Sequence, residues 1–179
     1  KPIVSIDAYG ELDAGQENHV LNIGLDDESG GYLMTKYLLE CGYEHIQVCA
    51  GRDNGVDHFR YMGAQRAAKE FAGKKQKVQF TALGMNYAKR KESYAWLIQR
   101  KKPKTALFFL SDLYALEAIS FFSSRGVKIP EEIGIAGYDN ISYAEFSVPR
   151  LTTISQNVEQ KASLAVEILM ERINGVEKE

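Results

Sequence analysis

Asp139, in the stretch Gly137-Tyr138-Asp139-Asn140, and Arg60, in Phe59-Arg60-Tyr61, are the residues of this sequence best suited to holding a small molecule. A carboxylate can accept two hydroxyl hydrogen bonds and a guanidinium presents a rigid fork of donors. Together they suit a polyol, a sugar, a nucleobase or a small acid. Position alone leaves plainer roles open: Asp139 as a turn former, and Arg60 as a solvated helix residue paired with Asp57. Asp26-Asp27, Ser111-Asp112 and the run from Arg52 to Arg60 also follow apolar segments and add polar groups.

Other chemistries find less support. Gly51-Arg52-Asp53-Asn54-Gly55 is a polar loop, but it has neither the GxGxxG pattern of a dinucleotide site nor the Gly-Lys-Ser/Thr ending of a P-loop. Glu28-Ser29-Gly30-Gly31 opens a helix whose free backbone donors could attract an anion, although capping by Asp27 accounts for it without a ligand. Cys41 and His45 are close in sequence, but Gly42 is expected to end the helix between them, and no HExxH or paired CxxC occurs. His19 and His58 stand in unrelated contexts. No GxSxG elbow is present, and neither Cys41 nor Cys49 has a local activating partner. The expectation is a protein that is not an enzyme and has no metal or cofactor, with both cysteines buried and free.

These residues must be positioned by the elements around them. Short apolar runs alternate with amphipathic stretches, the pattern of a mostly parallel sheet covered by helices. Strands are expected at Pro2–Ser5, Val20–Leu25, His45–Ala50, Val78–Leu83, Thr105–Leu110, Ile133–Ala136 and Leu151–Ile154. Helices are expected at about Glu28–Cys41, Asp57–Ala72, Ala88–Arg100, from Ser111 or Asp112 to Gly126, and Val158–Ile173. The spacing predicts packed faces of Leu33, Tyr37, Leu38 and Cys41 in the first and of Phe59, Met62, Ala67 and Phe71 in the second. In an open parallel sheet, ligands gather beyond the carboxyl ends of the strands, so the four polar stretches should share one edge. Two polar loops, Ala8–His19 and Tyr138–Arg150, are long enough to be functional or to connect lobes. The division expected is residues 1–25 in a partial amino lobe, 26–142 in a carboxy lobe, and 143–179 returning to the amino lobe.

Composition narrows the class. The 179 residues are 45% hydrophobic and 26% charged with a formal net charge of −2, which describes a folded globular chain rather than a broadly basic nucleic-acid-binding domain. The basic clusters Lys74-Lys75, Lys89-Arg90-Lys91 and Arg100-Lys101-Lys102 are expected to be solvated faces. No segment has the two-helix turn of a DNA-reading module. The longest apolar runs, such as ALFFL at 106–110, are shorter than the roughly 20 residues a membrane helix needs. No secretory signal opens the chain, which starts abruptly at Lys1.

Taken in order, several segments resemble the effector-binding region of the lactose- and purine-repressor family. They are LDDESGGYLMTKYLLECGYEHIQVCAG at 25–51, FRYMGAQRA at 59–67, FLSDLYALEAI at 109–119, and IPEEIGIAGYDN followed by VPRLTTISQ within 127–175. The resemblance implies a periplasmic-binding-protein-like type I fold, α/β, with a parallel-sheet sandwich and an incomplete second lobe. It also makes Arg60 and Asp139 the best effector contacts, with Asn54, Ser111, Asp27 and Gln156 as further candidates. Ser111 departs from the Asn that many relatives carry. The implied parent is a cytoplasmic homodimeric repressor that binds a sugar-like effector between two lobes. It meets operator DNA only through an amino-terminal headpiece expected before residue 1. The rival implied by the same fold is a sugar-binding receptor of a transport system.

Overall fold

The structure, a computed structural model, describes residues 2–8, 20–53, 55–71 and 76–175. Its strands are β1 (Ile3–Ile6), β2 (Val20–Ile23), β3 (His45–Ala50), β4 (Lys77–Ala82), β5 (Thr105–Phe109), β6 (Gly134–Asp139) and β7 (Thr152–Ser155). Its helices are α1 (Asp27–Glu40), α2 (Gly55–Glu70), α3 (Tyr87–Arg100), α4 (Asp112–Ser123), α5 (Tyr143–Phe146) and α6 (Val158–Ile173). The chain divides into two compact units, one made of Lys1–Asp26 and Gln156–Glu179, the other of Asp27–Ser155.

The larger unit is a five-stranded parallel sheet in the order β4-β3-β5-β6-β7 with helices on both faces. Alternation along β5 explains the layering. Ala106, Phe108 and Leu110 join Met34, Leu38 and Leu39 of α1 and Ala64 of α2 in one core. Leu107 and Phe109 join Tyr94 and Leu97 of α3 and Ala115, Ala118 and Phe122 of α4 in the other. Every residue of β5 is buried, as expected of a central strand covered on both sides. In the smaller unit, β1 and β2 pair in parallel and the Asp7 amide donates to the Ile23 carbonyl at 2.8 Å.

Several expected details are corrected. The buried side of α1 is Gly30, Gly31, Met34, Thr35, Leu38 and Leu39, while Leu33 and Tyr37 are exposed. The buried side of α2 is Arg60, Gly63, Ala64 and Ala67, while Phe59 and Met62 are exposed. Both errors have one cause: weighting the large apolar side chains hides a face built from glycine and alanine. Cys49 is buried and free as expected, but Cys41 is exposed. Strand β6 runs on to Asp139, and a short helix, α5, interrupts the loop expected over Tyr138–Arg150. Most of the loop expected at Ala8–His19, together with Ala72 and Lys74-Lys75, lies outside the described residues.

Candidate functional site

The site is built where α1 and α2 approach each other most closely. A Cβ on Gly31 would lie 1.9 Å from the Arg60 carbonyl oxygen, and one on Gly63 would lie 1.8 Å from that of Glu28. Only glycine at both positions lets the two helix backbones touch. Of the glycine pair in α1, Gly30 makes room for the Tyr138 side chain, while Gly31 serves helix packing. That contact brings Asp27, in the first turn of α1, against Arg60 on α2.

Arg60 is buried, and its guanidinium is held on three sides. Nε donates to Asp27 Oδ1 at 2.8 Å, Nη1 donates to the Leu110 carbonyl at 2.9 Å, and the plane lies over the Tyr138 ring, 3.7 Å from its centroid. The Tyr138 hydroxyl also donates to Asp27 Oδ1, at 3.3 Å. Asp57, one helical turn before Arg60, is 3.9 Å from Nη1 and is the more distant partner. Burial opposes the charge on Arg60, but the hydrogen bond and charge of Asp27, with Tyr138 and Asp139, outweigh it and hold the group above its ordinary value. Burial also raises Asp57 to about 6, against the pull of Arg60, and the neighbouring carboxylates Asp139, Asp27 and Asp53 add to the rise. Tyr138 is pushed up to about 12, chiefly by burial.

Asp139 ends β6 with φ at 118°, and Asn140 follows at 55°. Two non-glycine residues in that half of backbone space cost on the order of 1–3 kcal/mol each, a strain found where a side chain must be aimed. Asp139 Oδ2 accepts a hydrogen bond from the Ser111 hydroxyl at 3.2 Å. Ser111 stands at the N-cap of α4 without making a side-chain cap; its hydroxyl turns to Asp139 instead. Behind the turn, Asp112 is fully buried. It accepts from the Thr153 hydroxyl at 2.6 Å and from the Ile141 amide at 2.9 Å, tying the loop after β6 to β7. Burial raises Asp112, and these two hydrogen bonds pull it back. A Cβ on Gly137 would lie 2.1 Å from Asp112 Oδ1, so the glycine of the GYDN stretch makes room for this buried carboxylate.

Of the residues expected to contact an effector, the larger unit brings together Arg60, Asp139, Ser111 and Asp27 along the carboxyl edge of its sheet. Asn54 lies outside the described residues. Gln156 belongs to the smaller unit, where its side-chain oxygen accepts from Lys161 Nζ at 3.1 Å, beside an ion pair between Lys161 and Asp7. The reading of Arg60 as a solvated partner of Asp57 is overturned, because its closest carboxylate is Asp27 and it is 5% exposed. Sequence reasoning missed Tyr138 as the platform under Arg60 and Asp112 as the clamp behind Asp139. Their neighbours Asp139 and Ser111 carried the only local signal. Arg90 is likewise not on a solvated face: it forks onto Glu117, with Nε and Nη2 donating at 2.7 and 2.8 Å.

A family model described as a periplasmic binding protein-like domain matches residues 35–179. The chain is 36% identical over 155 residues to the HTH-type transcriptional repressor PurR of Haemophilus influenzae, covering 83% of this chain and 45% of that protein. It is 37% identical over 158 residues to the protein of the same name from Aliivibrio fischeri, covering 86% and 47%. The chain thus spans about half the length of the curated relatives it matches. Among solved structures, a periplasmic binding protein/LacI transcriptional regulator from Alkaliphilus metalliredigens, complexed with D-xylulofuranose, superposes with a TM-score of 0.81. It is 26% identical, over 99% of this chain and 64% of that one. A LacI family transcriptional regulator from Enterococcus faecium with bound ribose gives a TM-score of 0.80 at 25% identity, over 99% and 64%.

Proposed function

The chain belongs to the periplasmic-binding-protein-like domain family, and from that premise we propose that it is the effector-sensing part of a transcription regulator of the lactose- and purine-repressor type. Its effector is a small sugar or a related hydroxyl-rich metabolite. The observation that carries this reading is the pairing of Ser111 with Asp139: a strained, buttressed carboxylate already accepts one hydroxyl, as it would accept those of a sugar. Arg60 complements it. Its guanidinium, already oriented by Asp27 and the Leu110 carbonyl, is a five-donor fork that suits a ligand oxygen.

In this reading Asp139 and Arg60 hold the effector, and Ser111 yields its hydrogen bond to a ligand hydroxyl. Asp27 holds Arg60 in place, and Asn54 and Gln156 stay candidates for ligand contact on the family resemblance. The sugars bound to the two similar structures, xylulofuranose and ribose, make pentoses the first ligands to test. The intact protein would be a cytoplasmic homodimer that reads operator DNA through a separate headpiece. Effector could change its operator affinity only by binding the DNA-competent and DNA-incompetent states unequally.

Calorimetric titration with pentoses, hexoses, polyols and nucleobases tests the proposal. A saturable heat with one of them should be weakened roughly 10- to 100-fold in Asp139→Ala, the loss expected when a charge-assisted hydrogen bond goes. Unchanged binding in that variant, with folding preserved by circular dichroism, would remove Asp139 from the site and the reading with it.

A further inference from the structure

The opposite, amino-terminal edge of the same sheet has its own cleft, of about 220 Å³. His45, Lys77 and Thr105 start three adjacent strands in register, with His45 opposite both of the others, and they form its floor. The wall is the last turn of α3, where Trp96 and Arg100 lie one helical turn apart with the guanidinium 5.0 Å from the ring centre, and Lys102 follows. A sheet face under a helix is ordinarily apolar; here it carries a histidine, a lysine and glutamines. The amide of Gln47 is fixed by accepting from the Thr81 hydroxyl at 2.8 Å.

Charge sets this cleft apart. None of its lining residues among the described ones is acidic. Lys101 is paired with Glu132 at 2.8 Å, whereas Lys77, Arg100 and Lys102 make no ion pair among the described residues. Cations at the end of a helix ordinarily answer its dipole, which amounts to about half a negative charge. Arg100 and Lys102, at and just beyond the end of α3, already exceed that, and Lys77 at the start of β4 adds a third positive charge to the cleft. The lining thus combines a concentrated positive field with a half-exposed indole that can lie against a flat ring.

We propose that this cleft is a second binding site, separate from the effector site, for a small phosphorylated molecule that bears a flat ring. Lys77, Arg100 and Lys102 take the phosphate, and Trp96 takes the ring. Because these groups are largely exposed, binding is of modest affinity and weakens as salt rises. The proposal does not rest on the effector reading.

Trp96 is the sole tryptophan of the chain, so its fluorescence reports the site directly. Titration with adenosine monophosphate at fixed ionic strength should give a saturable change. Adenosine, which lacks the phosphate, should need at least tenfold more to reach the same change. The double variant Lys77→Glu, Lys102→Glu, shown by thermal melting to fold like the parent, should lose the response, while Asp139→Ala should keep it. Absence of a saturable change with the nucleotide, equal binding of adenosine, or a response that survives in the double variant would each overturn the proposal.

Discussion

The two edges of the five-stranded sheet use charge in opposite ways. At the carboxyl edge, Asp27, Asp57 and Asp139 surround Arg60, which is buried and bonded to a carboxylate, a carbonyl and a ring face. At the amino edge, three cations stand on exposed positions with no carboxylate among their neighbours in the cleft. The first arrangement is preorganised: each group is held by another before any ligand arrives, which reduces the ordering cost of binding. The second is a field rather than a scaffold, and it recognises charge more than shape. One sheet can support both because its strand ends point their loops in opposite directions.

The comparison is tested most severely by removing one cation from each edge. Arg60→Met should destabilise the chain by about 3–5 kcal/mol in urea unfolding, since the buried Asp27 carboxylate would lose the positive charge that balances it. Arg100→Met should cost less than about 0.5 kcal/mol, as exposed substitutions usually do. Equal losses would show that the two edges are built alike. A smaller effect is expected at the helix contact that brings Asp27 to Arg60. Gly63→Ala places a methyl group against the Glu28 carbonyl, so the helices must part; a loss of about 1–3 kcal/mol is expected, seen as a lower urea midpoint.

A further change concerns pH. Asp57 is raised to about 6 by burial and neighbouring carboxylates, whereas in the unfolded chain it titrates near its ordinary value of 3.8. Between these values the folded chain holds a proton that the unfolded chain has released. The stability contributed by protonated Asp57 is therefore complete below about pH 4 and is lost as pH rises through about 6. Asp57→Asn removes this dependence. The variant should match the parent at pH 4 and exceed it by roughly 1–2 kcal/mol at pH 7.5 in ligand-free urea melts. A parent whose stability does not fall between pH 4 and 7 relative to the variant would contradict the raised value.

How far the sequence could be read follows from which forces are local. Continuous apolar runs such as ALFFL mark a central strand because a strand buried on both faces needs apolar residues at every position, and β5 and its layering followed directly. Helix faces were misread in α1 and α2 because glycine and alanine carry little hydrophobic signal, although they permit the closest packing in the molecule. Asp139 and Arg60 were legible as candidates from residue type, strand-end position and family resemblance. Nothing local in the sequence distinguished a solvated Arg60 from the buried one observed.

By itself the sequence determined the alternation of strand and helix, the edge on which the polar stretches gather, and the absence of the common catalytic motifs. These are properties of neighbouring residues, set by periodicity and chain reach. Only the tertiary structure decided that Asp27 rather than Asp57 is the close partner of Arg60, and that Tyr138 lies beneath it. It likewise decided that Asp112 clamps the turn presenting Asp139 and that three cations share a cleft at the far edge. Each of these joins residues distant in sequence. Desolvation and Coulomb interactions depend on distance and burial in space, which no run of neighbouring residues contains.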